Sequence, residues 1–173
     1  METFFVAPLN QGDAISLFTL MTGNAKRFQR FFPNTLGQNL SVEASKNYIE
    51  LKRKENQSKS EFTWAIKAVE NGNIVGLIIL KELNWNKKQG ELAYCIDKGF
   101  EGRGWITNAV KEISKFAFEE LELNTLQIVV HNSNKGSIKV AEKCGYEWQS
   151  TLKAEFAPPN EAPLDMELYE LSL

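Results

Sequence analysis

The chain has 173 residues, of which 43% are hydrophobic and 24% charged, the balance of a globular protein of one ordinary domain rather than of a disordered or fibrous chain. Its net charge of −2 argues against a general nucleic-acid or anionic-membrane binder. No stretch approaches the ~20 apolar residues of a membrane span.

The opening Met1-Glu2-Thr3-Phe4-Phe5 lacks the basic region and long apolar run of a secretory leader. Residues 3–7 read as a short strand, and Asp13 is placed to cap a helix carrying Ile15, Leu17, Phe18 and Met21. The aromatic segment Phe28 to Phe32, interrupted by Pro33, reads as a helix end or loop. Ser41 is expected to cap a second helix with Glu43 in its first turn and Ala44, Tyr48 and Leu51 at helical spacing. The polar run Lys52 to Ser60 reads as a solvated helix end. Trp64, Trp85 and the Phe28/Phe31/Phe32 cluster are core residues by default and could otherwise wall a groove.

Glu61 to Val69 and Ile74 to Leu83 are β-rich, and Asn71-Gly72 between them is a hairpin signal. Glu91 to Asp97 is expected to pair with them antiparallel. Ile106, Ala109, Val110, Ile113, Phe116, Ala117 and Leu121 repeat at i, i+3, i+4, i+7, which predicts an amphipathic helix. Thr125 to Val130 reads as a buried strand. Ile138, Ala141 and Cys144 mark a helix ending at Gly145, and residues 146–156 and 164–172 read as two closing strands. No internal repeat or linker interrupts the chain, so residues 1–173 are expected to form a single domain. Its class is α+β: a mixed, mostly antiparallel sheet with helices on both faces and a central β-α-β unit. Cys95 and Cys144 have no metal-type spacing and the chain has one histidine. Reduced, buried thiols in a cytoplasmic protein without a metal site are the expectation.

The β-α-β unit contains the most telling motif. Phe100-Glu101-Gly102-Arg103-Gly104-Trp105-Ile106-Thr107 joins a strand to the amphipathic helix, and a Gly-x-Gly turn there aims free amides and the positive end of the helix dipole at one spot. Such a cradle suits a pyrophosphate. It lacks the Gly-Lys-Ser/Thr of a P-loop and the third glycine of a dinucleotide fingerprint. A ligand whose phosphates are held but not attacked fits what is left.

In order along the chain stand Leu92-Ala93-Tyr94, Glu101-Gly102-Arg103-Gly104, Asn134-Lys135-Gly136-Ser137, Lys143-Cys144-Gly145-Tyr146, Leu152-Lys153-Ala154-Glu155-Phe156 and Asp165-Met166-Glu167-Leu168-Tyr169. With these motifs the chain resembles the GNAT superfamily of acetyl-CoA-dependent N-acetyltransferases. Within it, the chain is most similar to the bacterial ribosomal-protein N-terminal (serine/alanine) acetyltransferases. The resemblance implies a GNAT-like fold that transfers acetyl from acetyl-CoA to a primary amine in a ternary complex. The acceptor would be a protein N-terminus or a small amine such as a polyamine, aminoglycoside or amino acid. It implies that Gly102, Arg103, Gly104, Trp105, Ile106 and Thr107 hold the pyrophosphate by backbone amides. It further implies that Tyr94, Cys95 and Ile96 pair with the pantetheine arm, and that Asn132, Asn134 and Ser137 contact CoA. Nucleic acid, membrane and metal are not implied; a homodimer is compatible with it. An amide near Ile96 would stabilise the thioester oxyanion.

Two positions depart from the family pattern, Glu101 for Gln or Arg and Ile106 for Gly or Ala. A carboxylate beside a pyrophosphate is unfavourable, and Lys98, Arg103, Lys135 and Lys139 are the cations available to offset it. The family's usual acid, a tyrosine, is replaced by Ala141. By resemblance Ser137 then protonates the thiolate, and Glu155 removes the amine proton through water. His131, the single histidine, is the alternative base. A degenerate acyl-CoA-binding module is the non-enzymatic reading, and Glu101 with the absent tyrosine is what favours it.

Overall fold

In a computed structural model, which describes residues 3–173, strands β1 (Phe4–Pro8), β2 (Phe62–Ala68), β3 (Ile74–Asn84), β4 (Gln89–Ile96), β5 (Thr125–Val130), β6 (Glu147–Phe156) and β7 (Leu164–Ser172) form one sheet. Its order is β1-β2-β3-β4-β5-β7-β6. The helices are α1 (Ala14–Gly23), α2 (Ala25–Phe31), α3 (Pro33–Gly37), α4 (Val42–Ser58), α5 (Trp105–Glu119) and α6 (Lys135–Lys143). Met1 and Glu2, the head of the segment read as lacking a leader, lie outside the described residues. This is the expected α+β class, with the chain dividing into two compact units.

The first unit comprises the described part of Met1–Ile79 with Tyr94–Trp105. In it β1 and β2 run antiparallel from Phe4↔Ala68 to Pro8↔Trp64. Its core gathers Leu17, Met21, Tyr48, Ile49, Leu77 and Cys95, together with Phe28. One expectation is corrected here. Asp13 does not cap α1: Asn10 caps a 3-10 turn over Gln11–Asp13. The Asp13 carboxylate instead accepts the Asn10 amide at 2.9 Å and pairs with Lys67 at 2.7 Å. Phe28 to Phe31 are the last residues of α2 with Phe32 as its cap, the helix end that was expected, and Pro33 opens α3 at its first position, where its missing N–H costs nothing. Helix α4 ends at Ser58, and the run to Ser60 is mostly exposed, as expected of a solvated helix end and loop; within it Lys52 is an ion-pair centre between Glu55 (2.9 Å) and Glu61 (2.7 Å). Ser41 does cap α4, accepting the Ala44 amide at 3.0 Å. Trp64 is buried and stacks on Phe62, whereas Trp85 is exposed.

The second unit comprises Leu80–Ala93 with Ile106–Leu173. Ile106, Ala109, Val110, Ile113 and Ala117 of α5 are buried, as the periodicity predicts. Strand β5 is antiparallel to β7 along its whole length, from Thr125↔Ser172 to Val130↔Glu167, and β7 pairs with β6. Against β4, β5 is parallel over Gln89↔Thr125, Gly90↔Leu126 and Glu91↔Gln127. These two strands and α5 make the β-α-β unit. Gly145, at φ +85°, follows the end of α6 in the left-handed conformation that a Cβ disfavours.

Candidate active site

The turn after β4 is built to stay open. Asp97 opens it, its carboxylate accepting the Gly99 amide at 2.7 Å. Gly102 and Gly104 then take φ of +74° and +78°. A Cβ on either would meet nothing within 4 Å; the glycines serve conformation, and the space beside them is left clear. Gly104, the residue before α5, has no side chain to cap the helix, so the first-turn amides of Trp105, Ile106 and Thr107 have no intrahelical acceptor. Trp105 anchors this start, with its ring 5.4 Å from Phe4 and 5.1 Å from Phe100.

The charged residues of the turn are arranged differently from the expectation. The Arg103 guanidinium lies 4.7 Å over the Phe100 ring and 5.5 Å over Trp105, and donates to the Gly99 carbonyl at 3.1 Å. Its charge lies against the aromatic anchor of the turn. Glu101 is not a bare carboxylate: it is paired with the Arg27 guanidinium. Arg27 also donates to Asn24 Oδ1 at 2.8 Å and to the Ile96 carbonyl at 3.1 Å. Asn24 is buried and fully used, donating to the Leu20 carbonyl (2.9 Å) and the Asp97 carboxylate (2.8 Å) and accepting the Lys98 amide (3.2 Å). The sequence reading missed Asn24 and Arg27; a lone Asn between two helices and a lone Arg in the first turn of the second carry no motif.

The strand leading into the turn is held on one side. The Asp97 amide donates to the Val75 carbonyl at 2.7 Å, so by two-residue alternation the main-chain groups of Cys95 face β3 as well, and those of Tyr94 and Ile96 face the other way. Gly76 of β3 is obligatory at this crossing, because a Cβ there would lie 2.5 Å from the Cys95 carbonyl. The Cys95 thiol is buried, and burial pushes its pKa up to about 12 against the opposing pull of a Leu77 backbone hydrogen bond and the Arg27 charge. It is no nucleophile at neutral pH. Cys144 is only half-buried, a correction to the expected buried pair, and its thiol donates to the Thr107 carbonyl at 3.3 Å.

In the second unit the parallel ladder ends at Glu91↔Gln127, while β5 continues to Val130 beside β7. Past β5, the Asn134 amide donates to the His131 carbonyl at 2.9 Å, and the Asn134 side chain accepts the Ser137 amide at 3.2 Å, capping α6. Ser137 is half-buried in the first turn of that helix, and Asn132 is exposed. His131 Nδ1 lies 2.6 Å from the Ser133 hydroxyl, so that nitrogen is committed to local loop structure. Ala141 is buried, and the nearby tyrosine is no substitute acid: Tyr146 is buried against Ser114 at 2.8 Å, and burial drives its pKa up.

Glu155 occupies a distorted stretch of β6. Between the pairs Leu152↔Met166 and Phe156↔Leu164 the bulged strand sets Lys153, Ala154 and Glu155 against the single residue Asp165. Ala154 takes φ +48°, its amide donating to Asp165 Oδ1 at 2.9 Å while Lys153 pairs with Oδ2 at 2.9 Å. A bulge of this kind re-aims a side chain and is common beside active sites. Glu155 is exposed. Its charge reaches Glu91, whose carboxyl is raised chiefly by burial, with Lys81 opposing at 3.8 Å and Glu155 adding to the rise.

Comparison with known proteins bears on this arrangement. Residues 4–147 match the family described as acetyltransferase (GNAT) domain. The probable N-acetyltransferase YjcK of Bacillus subtilis is 27% identical over 146 residues, 84% of this chain and 81% of that protein. The spermidine N(1)-acetyltransferase of Escherichia coli is 29% identical over 86 residues, 50% of this chain and 46% of the enzyme. Among solved structures, the ribosomal L7/L12 alpha-N-protein acetyltransferase in complex with coenzyme A superposes with a TM-score of 0.89. It is 14% identical, with 100% of this chain and 96% of that one covered; at that identity the likeness is one of fold.

Proposed function

From a chain that belongs to the GNAT acetyltransferase family, and is thus an N-acetyltransferase, we propose an enzyme that moves acetyl from acetyl-CoA to a protein N-terminal amine, as in ribosomal-protein acetylation. The observation that carries the cofactor assignment is the turn Gly102–Thr107 at the start of α5, where the space beside two left-handed glycines is clear and would receive a diphosphate. As the family resemblance implies, the end of β4 from Tyr94 through Cys95 to Ile96 would run beside the pantetheine arm by strand addition. The Ile96 carbonyl is already engaged by Arg27, so the N–H of Ile96 is the group offered to the developing oxyanion.

The amine nitrogen attacks the thioester carbon, the C–S bond breaks, and the proton lost by nitrogen balances the one gained by sulfur. Ser137 delivers the proton to the thiolate, and Glu155 takes the amine proton through water. An α-amine with pKa ~8 is about one-tenth neutral at pH 7, whereas a lysine side chain at ~10.4 is below one part in a thousand. An exposed carboxylate acting through water is therefore matched to an α-amine. The spermidine enzyme among the relatives supports the second reading, a polyamine acceptor. Residues 1–173 would act as one catalytic domain, and the free thiols Cys95 and Cys144 suit a reducing cytoplasm.

The test is acetyl-CoA turnover with a mixture of peptides bearing ribosomal-protein N-termini and with spermidine, the products being sequenced by mass spectrometry. Acetyl on a peptide α-amine is the expected result. Transfer to spermidine alone would establish the second reading, and binding without transfer to any amine would leave only a ligand-binding module.

A further inference from the structure

We propose that Arg27 is a positioning residue for the cofactor turn, cancelling the Glu101 carboxylate so that a diphosphate can bind where this chain carries an acid. The inference rests on the reading that acetyl-CoA occupies the turn. Glu101 precedes Gly102 directly, so an unpaired carboxylate would repel a diphosphate there. The Arg27–Glu101 pair is only partly exposed, with about a third of the Arg27 side chain and half of the Glu101 side chain accessible. Arg27 itself is fixed by Asn24 Oδ1 (2.8 Å) and the Ile96 carbonyl (3.1 Å) and lies 5.5 Å over the Phe28 ring. One guanidinium thus ties the start of α2 to both the strand end and the first residue of the turn. The guanidinium meets these three acceptors with donors held in a rigid fork, which the single point charge of a lysine ammonium does not offer.

The experiment is calorimetric titration of acetyl-CoA into wild type, Arg27→Met, Glu101→Gln and the double variant at low and high salt. S-acetylpantetheine, which lacks the diphosphate, is the control substrate. Arg27→Met should weaken acetyl-CoA binding roughly tenfold at low salt and less at high salt, as screening predicts. The double variant should regain affinity within about threefold of wild type, because the repulsive charge has gone. KM for S-acetylpantetheine should change far less than acetyl-CoA affinity does in Arg27→Met, because any effect through the Ile96 contact falls on both substrates alike. Equal losses for both substrates, or no rescue in the double variant, would overturn the charge-cancelling role. If Arg27→Met does not fold, Glu101→Gln alone decides: affinity at or above wild type supports the proposal, and clearly weaker binding overturns it. A wild-type protein that fails to bind acetyl-CoA would overturn the cofactor reading itself, and this inference with it.

Discussion

Glu155 shows how the backbone decides where one side chain is presented. Ala154 adopts a left-handed conformation that alanine does not favour, and Asp165 holds it there through the Ala154 amide and Lys153. The result is an exposed carboxylate presented by a bulge. Glu155→Gln should lower kcat/KM by roughly 10²–10⁴-fold if the carboxylate is the general base. The loss should be greatest at low pH and partly recovered as pH rises, since more acceptor then arrives neutral. A pH–rate profile of the variant checks this; wild-type turnover at neutral pH would remove Glu155 from the mechanism. Cys95, by contrast, is buried, and its thiol is not ionised at neutral pH.

The elements were largely readable because their signals are local. The apolar repeat of α5, the Ser41 cap and the alternating runs of β5 and β7 each carry their own pattern within a few residues. What could not be read was set by partners distant in sequence. Asp13 looked like a cap, yet its carboxylate is claimed by Lys67, 54 positions away. Arg27 and Glu101, 74 positions apart, showed no sign of their pairing. The Asp13–Lys67 contact is buried on both sides, with under a tenth of each side chain exposed. Lys67→Met should therefore strand a buried carboxylate and cost about 3–5 kcal/mol of stability in denaturant unfolding. Adding Asp13→Leu should return part of that loss; a single variant as stable as wild type would show the pair to be energetically idle.

Over the whole chain, the fold class followed from the resemblance and from the β-α-β signal, whereas the order of the strands in the sheet and the use of each charge required coordinates. Charge also shapes the pH response. The Glu91 carboxyl is raised by burial, so the folded state holds its proton more tightly than the unfolded state does. Its favourable contribution is present below the ordinary glutamate range and is lost as pH rises through the elevated folded value. Glu91→Gln should accordingly raise the melting temperature at neutral pH and leave it little changed in acid. A variant that melts lower at neutral pH would mean that the Lys81 partnership outweighs the burial cost.

That the turn Gly102–Thr107 holds the diphosphate of acetyl-CoA is tested most directly by amide hydrogen exchange at those six residues, with and without the ligand. Saturating acetyl-CoA should slow exchange at Trp105, Ile106 and Thr107, whose amides have no intrahelical acceptor, and at the glycine turn before them. A folded Gly104→Val variant, forced off φ +78°, should lose that protection. Ligand saturation that leaves these amides unchanged while protecting another segment would contradict the account.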